Sequence, residues 1–369
     1  MQLQSLKLRN FKNYETTDLD FHPRLNLIIG MNGVGKTNLL DAIYYMAFGK
    51  SFYHIPDRQL IRFAMQSESE DPFFRIEGVT ETTAHYAFSY NAVRRKQASK
   101  NKVPYDRISD HIGELLLVSI FPEDLNIIKQ DSSLRRRFAD STIGQVDKQY
   151  LIALMKYNRI LKHKNELLKN FGMAPADKSL LLDKYDQDLI PLIYKIGEAR
   201  TAFVEQFEPV YQDFYSRIAP VSDEFSGFKY AASVSPDQVE ATLKNSRRRD
   251  WERGRATKGP HRDDFKIMLK GNSAKYFASQ GQQKSILFSL KLAQYGYIAK
   301  QSNKKPILLL DDIFEKLDFS RILNLMSILA GDEIGQIFIT DTDADRMERI
   351  AEEAGLDYKF IAITHNNHE

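Results

Sequence analysis

The stretch Gly30-Met31-Asn32-Gly33-Val34-Gly35-Lys36-Thr37 decides how this chain is read. It fits G-x-x-x-x-G-K-[ST], the phosphate-binding loop of nucleoside triphosphatases. Leu25-Asn26-Leu27-Ile28-Ile29, just before it, reads as a short buried strand. The residues after it set Leu39, Leu40, Ile43, Tyr44 and Ala47 on one helical face. The motif requires this strand–loop–helix context. Its glycines let backbone N–H groups turn inward around phosphate oxygens, and the helix N-terminus adds its positive dipole end. Gly30 to Thr37 would cradle the phosphates of ATP. Lys36 would reach the β- and γ-phosphates, and the Thr37 hydroxyl would bind Mg²⁺.

A second half of the site lies far along the chain. Ile307-Leu308-Leu309-Leu310-Asp311-Asp312 matches a Walker B strand. Four apolar residues suit a central parallel strand covered on both faces, and carboxylates at its C-terminal end point into the crevice that holds the phosphate loop. Asp311 would hold Mg²⁺ beside Thr37, and Asp312 would orient and activate the attacking water. Asp312 is one methylene shorter than a glutamate, which suits slow hydrolysis. Seen alone, such aspartates are equally well explained as a turn or helix cap after a buried strand.

Ser279-Gln280-Gly281-Gln282-Gln283-Lys284 precedes an amphipathic helix whose face carries Ile286, Leu290, Ala293 and Tyr297. Ser279 could cap that helix and Gly281 permits close backbone approach, making a second helix N-terminus able to face phosphate. By itself this is ordinary capping chemistry. Its place about 30 residues ahead of the Walker B strand gives it weight.

Composition bounds the rest. The chain has 369 residues, 43% hydrophobic and 27% charged, which is ordinary for a soluble globular protein with two or three lobes. It has no cysteine, so disulfides and cysteine-based metal centres are excluded. The N-terminal segment carries no long apolar run, so no signal peptide is expected; nor does any stretch suit a membrane-spanning helix. A cytoplasmic protein is expected. A net charge of +3 is slight, so any nucleic-acid surface must come from local clustering.

Strand character marks Leu3 to Leu8, Phe74 to Glu77, His85 to Tyr90 and Leu115 to Ile120. Helical patterning then dominates, from Tyr150 to Phe171 and from Leu180 to Tyr215, with Pro191 and Pro209 as expected breaks or starts. Strand–helix alternation returns after residue 264. The expected organisation is an α/β ATPase lobe built from residues 1–122 and 255–369, with a helical lobe over 123–254.

Phosphate loop, Ser-Gln-Gly-Gln-Gln before a helix, then Leu-Leu-Leu-Asp-Asp with Leu317-Asp318 after it, is the motif order of ABC-type ATPase heads. The details resemble the RecF family, relatives of SMC-type heads. Leu8 to Asn13 resembles that family's opening. Pro122 to Leu125 with Arg135 to Asp140, and Gly259-Pro260-His261-Arg262-Asp263-Asp264, resemble two further stretches, and Ser279 to Lys284 stands where its signature motif stands. The marks run from residue 8 to about 345. The resemblance implies heads that close as an ATP-dependent homodimer on DNA. Ser279, Gly281 and Gln282 of one copy would meet the γ-phosphate held by Lys36 of the other, with Leu317-Asp318 at the interface. It implies weak, DNA-dependent ATP hydrolysis that releases the dimer, work with RecR and RecO, and recombinase loading at single-strand gaps and double–single-strand junctions in replication, repair and the SOS response. Two departures stand out. Thr340-Asp341-Thr342 occupies the place where ABC transporters carry a histidine, and Gln130 is only a surface-compatible candidate for the Q-loop.

Three basic clusters could neutralise DNA phosphates: Arg94 to Lys102, Arg135 to Arg137, and Arg247 to Lys258. Each is also readable as a solvated face, and Arg135 to Arg137 as an organiser of the nucleotide site or the dimer contact. Trp251 reads as core, and His261 as a loop-shaping residue. A competing reading makes the chain an ABC-type subunit that couples ATP to a protein or membrane partner without DNA. The basic clusters and the absence of long apolar segments favour the DNA reading.

Overall fold

The computed structural model describes residues 1–170, 175–219, 225–313 and 319–364. In chain order its strands are β1 (Leu3–Phe11), β2 (Tyr14–Asp20), β3 (Leu25–Ile29), β4 (Phe73–Thr80), β5 (His85–Asn91), β6 (Arg95–Lys100), β7 (Val103–Pro104), β8 (Leu117–Ile120), β9 (Ser226–Ala231), β10 (Asp264–Leu269), β11 (Asn272–Ser273), β12 (Ile307–Leu310), β13 (Ile337–Asp341) and β14 (Tyr358–Ala362). Two compact units contain them. One joins Met1–Asp124 to Gln294–Glu369, and the other is Leu125–Ala293.

In the first unit the order β14-β3-β13-β12-β8 makes a parallel sheet, and β2-β1-β4-β5-β6-β7 makes an antiparallel one. The apolar runs of β8, β12 and β13 are buried at every position, as expected for strands covered on both faces. The imperfect alternation of β1 has a cause in its pairing. A register shift between Leu3 and Ser5 moves two residues against one on β4.

The helix Lys36–Phe48 touches β1, β4 and β5 of one sheet and β8 and β13 of the other. It therefore buries residues nearly all round, including Ala42, Tyr45 and Met46, and not only the one face that its sequence pattern marks. Tyr45 packs edge-on against Phe11, Phe74 and Phe88. Gln336, just ahead of β13, stitches the two sheets. Its buried amide accepts from Leu3 N at 2.7 Å and donates to Leu3 O at 2.8 Å and His22 O at 2.9 Å. Arg24 spreads its guanidinium over the carbonyls of Leu329, Ala330 and Gly331, closing the C-terminal end of the helix Phe319–Ala330.

The second unit carries the helices Ser132–Val146, Lys148–Lys169, Pro175–Ile218 and Val239–Arg253. It is not purely helical, because β11-β10-β9 form an antiparallel sheet within it. That pairing carries the unit past residue 254, where the sequence reading ends the lobe, to Ala293. Pro191 and Pro209 do not break the chain: one helix runs through both. Both prolines are solvent-exposed, so the carbonyls that lose their N–H partners lie on the side where water can replace them. Arg95 to Lys100, within the first basic cluster, forms β6, and the hairpin tip falls at Asn91 to Arg95.

Gln336→Leu should leave one N–H and two carbonyls without their partner. At about 1–3 kcal/mol per orphaned group, the cost should be roughly 3 kcal/mol or more. Urea denaturation followed by tyrosine fluorescence measures it. A midpoint equal to the parent's would mean that this amide does not join the sheets.

Candidate nucleotide-binding site

The phosphate loop takes its shape from two positive-φ glycines and from the hairpin between β1 and β2. Gly33 has φ 84° and Gly35 φ 111°, backbone that side chains rarely adopt. A Cβ on Gly35 would also collide with the Asn13 amide. Asn13 Nδ2 donates to Val34 O at 3.0 Å, Asn38 Nδ2 donates to Asn13 Oδ1 at 2.7 Å, and the Tyr14 hydroxyl donates to Gly35 O at 3.0 Å. One step back, Lys12 pairs with Asp41 at 2.7 Å, and Asp41 also accepts from the Ser51 hydroxyl and Phe52 N, each at 2.7 Å. The hairpin thus holds both the loop and the helix that follows. Sequence reasoning marked Leu8 to Asn13 only as a resemblance. A polar Lys-Asn-Tyr turn after an apolar strand was the available signal.

Lys36 is almost fully buried, and its Nζ donates to Gly30 O at 2.8 Å and Met31 O at 3.1 Å. Met31 is well exposed, and Asn32 lies on the exposed crest of the loop. Thr37 Oγ1 lies 3.0 Å and 2.9 Å from the two oxygens of Asp311. The structure thus brings together two members of the expected site that lie 274 residues apart in the chain. The register explains it: β13 lies between β3, which leads into the loop, and β12, which ends at Asp311.

Thr340, at the end of β13, completes the cluster. Its hydroxyl donates to Asp311 Oδ1 at 2.8 Å and accepts from Asp312 N at 2.9 Å. Asp312 has φ 45°, a left-handed conformation that aspartate enters more readily than most residues. Burial pushes the Asp311 carboxyl up to about 6, with the Thr340 and Thr37 hydroxyls pulling down and Asp312 and Glu123 pushing up. Asp311, the Thr37 hydroxyl and nucleotide phosphates make a hard oxygen donor set, which suits Mg²⁺. Among the described residues no cluster of three or more His, Cys, Asp or Glu could hold a metal ion.

Ser279 and Gly281 lie in the second unit. Ser279 caps the helix Gln280–Ser302 through a reciprocal pair: Ser279 N donates to Gln282 Oε1 at 2.8 Å, and Gln282 N donates to Ser279 Oγ at 3.3 Å. Ser279 is exposed. Gln130 is exposed too, and its carbonyl receives Arg135. Leu317 and Asp318 lie outside the described residues.

Three comparisons with known proteins bear on this geometry. The model of the RecF/RecN/SMC N-terminal domain matches residues 2–364. A curated relative from Bacteroides thetaiotaomicron, "DNA replication and repair protein RecF", is 39% identical over 98% of this chain and 97% of its own length. Its counterpart from Flavobacterium johnsoniae is 36% identical over 98% of this chain and 100% of its own length. The chain belongs to the RecF family. Its role is in DNA replication and repair, as a recombination mediator. A solved structure described as the recombination mediator protein RecF-ATP in the RecFOR pathway superposes with a TM-score of 0.82 at 29% identity, over 93% of this chain and 92% of that one. An archaeal Smc head domain from Pyrococcus furiosus matches at 16% identity with a TM-score of 0.56, over 99% of this chain and 94% of that one. That likeness is one of fold, the ABC-type ATPase head. No helix among the described residues is long and apolar enough to cross a membrane.

The buried carboxylate has a measurable cost. Asp311 has an ordinary value of 3.8 when unfolded, so between there and about 6 the folded form keeps a proton that the unfolded form has lost. Stability therefore falls as pH rises through that window, by about 3 kcal/mol from this group. Asp311→Asn in EDTA should be as stable as the parent near pH 4 and more stable above pH 6.5. A stability difference that does not change with pH would count against a buried, raised carboxyl.

Proposed function

We propose that this chain is an ATP-dependent DNA-binding protein of recombinational repair whose two copies close around ATP. The observation that carries the reading is the Thr37–Asp311 contact beside Lys36 in a glycine loop. Gly30 to Thr37 hold the phosphates, with Lys36 exchanging the carbonyls of Gly30 and Met31 for phosphate oxygens. Thr37 and Asp311 would hold Mg²⁺, which when bound would supply charge neutralisation of the phosphates. Asp312 orients the attacking water, and its short reach keeps hydrolysis slow. Hydrolysis serves as a switch and releases the dimer. Ser279, Gly281 and Gln282 of a second copy complete the phosphate shell, and the exposed cap at Ser279 leaves a helix N-terminus available for this. The ATP named for the solved relative supports the nucleotide.

The basic clusters sort themselves by partner. Arg135 is held by Asp264 at 2.8 Å, and Arg136 donates to Asp263 O at 2.6 Å. Lys96 pairs with Asp57 at 2.8 Å, Lys100 with Glu114 at 2.6 Å, and Arg247 with Asp186 at 2.9 Å. These cations are committed to the fold. By contrast Lys169, Arg253 and Arg255, with Asn165 and Gly254, line an open cleft of about 520 Å³ in the second unit. We assign DNA backbone contact to that cleft. Gapped DNA and double–single-strand junctions are the substrates, RecR and RecO the partners implied by the pathway named for the relatives, and the cytoplasm the place of action.

Light scattering with and without ATP tests the closure. The parent should dimerise with ATP. Lys36→Ala should lose ATP binding and the dimer together. Ser279→Arg gives up a cap worth about 1 kcal/mol and should still bind ATP, yet stay monomeric. ATP-driven dimers of Ser279→Arg would rule out the signature-motif role.

Salt titration of DNA binding tests the cleft. The double substitution Arg253→Gln with Arg255→Gln should weaken binding and lower the slope of log affinity against log salt by about 2. An unchanged slope would move DNA to another surface.

A further inference from the structure

Thr340 stands where the sequence offers no γ-phosphate histidine, and it is fully buried. β13 is otherwise apolar from Ile337 to Ile339, and valine has the same shape and the same strand preference as threonine. The strand itself therefore has no need of a hydroxyl. What the hydroxyl does is bonded on both sides. Its one proton goes to Asp311 Oδ1 at 2.8 Å, and its lone pair accepts the N–H of Asp312 at 2.9 Å. Asp312 Oδ1 lies further off, at 3.5 Å. Because the Asp312 N–H already donates to this oxygen, the direction of the proton is set. One hydroxyl thus fixes the carboxylate of Asp311 and the peptide that aims Asp312, a residue in left-handed conformation at φ 45°.

Asp311 has a second donor in Thr37, but under the nucleotide reading the Thr37 oxygen is needed by the cation. Thr340 has no such second task. We propose that Thr340 is a positioning residue for both Walker B aspartates: it holds Asp311 in place while Thr37 serves the cation, and it sets the direction of Asp312 toward the attacking water. This rests on the nucleotide-binding reading above, and it predicts separate losses that a merely structural threonine would not give.

The test compares Thr340→Val, Thr340→Ser and the parent, each shown folded by its urea midpoint. ATP affinity is read with a fluorescent ATP analogue in EDTA and in Mg²⁺, and turnover by phosphate release. Thr340→Val should bind the analogue in EDTA within about twofold of the parent. It should lose about tenfold of the Mg²⁺-dependent tightening and about tenfold in kcat, with KM for ATP following the affinity measured in Mg²⁺. Thr340→Ser keeps the hydroxyl and should restore both. A folded Thr340→Val that matches the parent in tightening and kcat overturns the inference, as does a Thr340→Ser as impaired as the valine. Should Thr340→Val not fold, Thr340→Ala, which has neither donor nor acceptor at this position, takes its place; parental turnover in a folded Thr340→Ala overturns the inference equally. A parent that binds no ATP analogue overturns the nucleotide reading itself, which separates that failure from this one.

Discussion

The Asp311 carboxylate is buried beside a second aspartate and is met by two hydroxyls, and the first unit is arranged around making that tolerable. A buried carboxyl without donors would be costly enough to stay protonated. Thr37 and Thr340 reach it from two different strands of the sheet, one from the loop after β3 and one from the end of β13. Their convergence depends on the order β3-β13-β12, set by the pairing of β13 with both neighbours, and Gln336 just ahead of β13 ties that sheet to β1. The charge that serves the site is thus a charge that the fold has to support. Stability is given up at Asp311 and recovered in the apolar strands on either side.

The second unit meets the same problem with opposite sign. Arg200 is almost entirely buried, and its guanidinium donates to Asp140 at 2.9 Å, Asp263 at 2.8 Å and Pro260 O at 2.8 Å. Burial works against its charge, yet Asp140, Tyr150 and Asp263 hold it firmly protonated, well above the usual arginine value. Removing one partner from such a set is destabilising because the rest stays buried and unpaired. Asp263 and Asp264 belong to the Gly-Pro-His segment, and Arg135 and Arg136 bind the same two aspartates. Two stretches that the sequence shows only as family marks are therefore the two sides of one ionic cluster. His261 joins it as a neutral ring: burial lowers it to about 4, the Tyr157 hydroxyl meets its Nδ1 at 2.6 Å, and its Nε2 donates to Ala256 O at 3.1 Å.

What could be read in advance follows the range of the interactions. The strand–loop–helix around Lys36 and the apolar strand before Asp311 are local patterns, and both stand where composition and periodicity put them. The helix Lys36–Phe48 shows the limit. Its sequence marks one apolar face, but the strands β4 and β5 that bury the other arrive later in the chain, and only the pairing of β4 with β1 and of β5 with β4 brings them over it. β9 escaped notice for the same reason, since its partner β10 is far along the chain and the intervening helix masks the hairpin. Pro191 and Pro209 mislead because the local rule counts a lost hydrogen bond and not where its carbonyl points. Basic runs mislead in the opposite way: Arg135 and Arg136 look like free charge until Asp264 and Asp263 are placed beside them.

Ser279 shows why a motif of this kind is hard to weigh from either side. Its reciprocal bonds with Gln282 are a complete explanation in terms of helix capping. A cap, however, satisfies only some of the N–H groups at a helix N-terminus and leaves the others with the dipole's positive end facing outward. The same geometry that makes Ser279 a good cap is therefore compatible with the proposed role as second half of a phosphate site, in which a second copy would bring its loop to it. Capping and phosphate binding are not rival assignments here. The Gln282 side chain closes the cap at 2.8 Å on Ser279 N, so an incoming phosphate can compete for that N–H without unwinding the helix. Under the proposed closure the helix would stay capped in one copy alone and would exchange a glutamine oxygen for a phosphate oxygen on meeting a second copy.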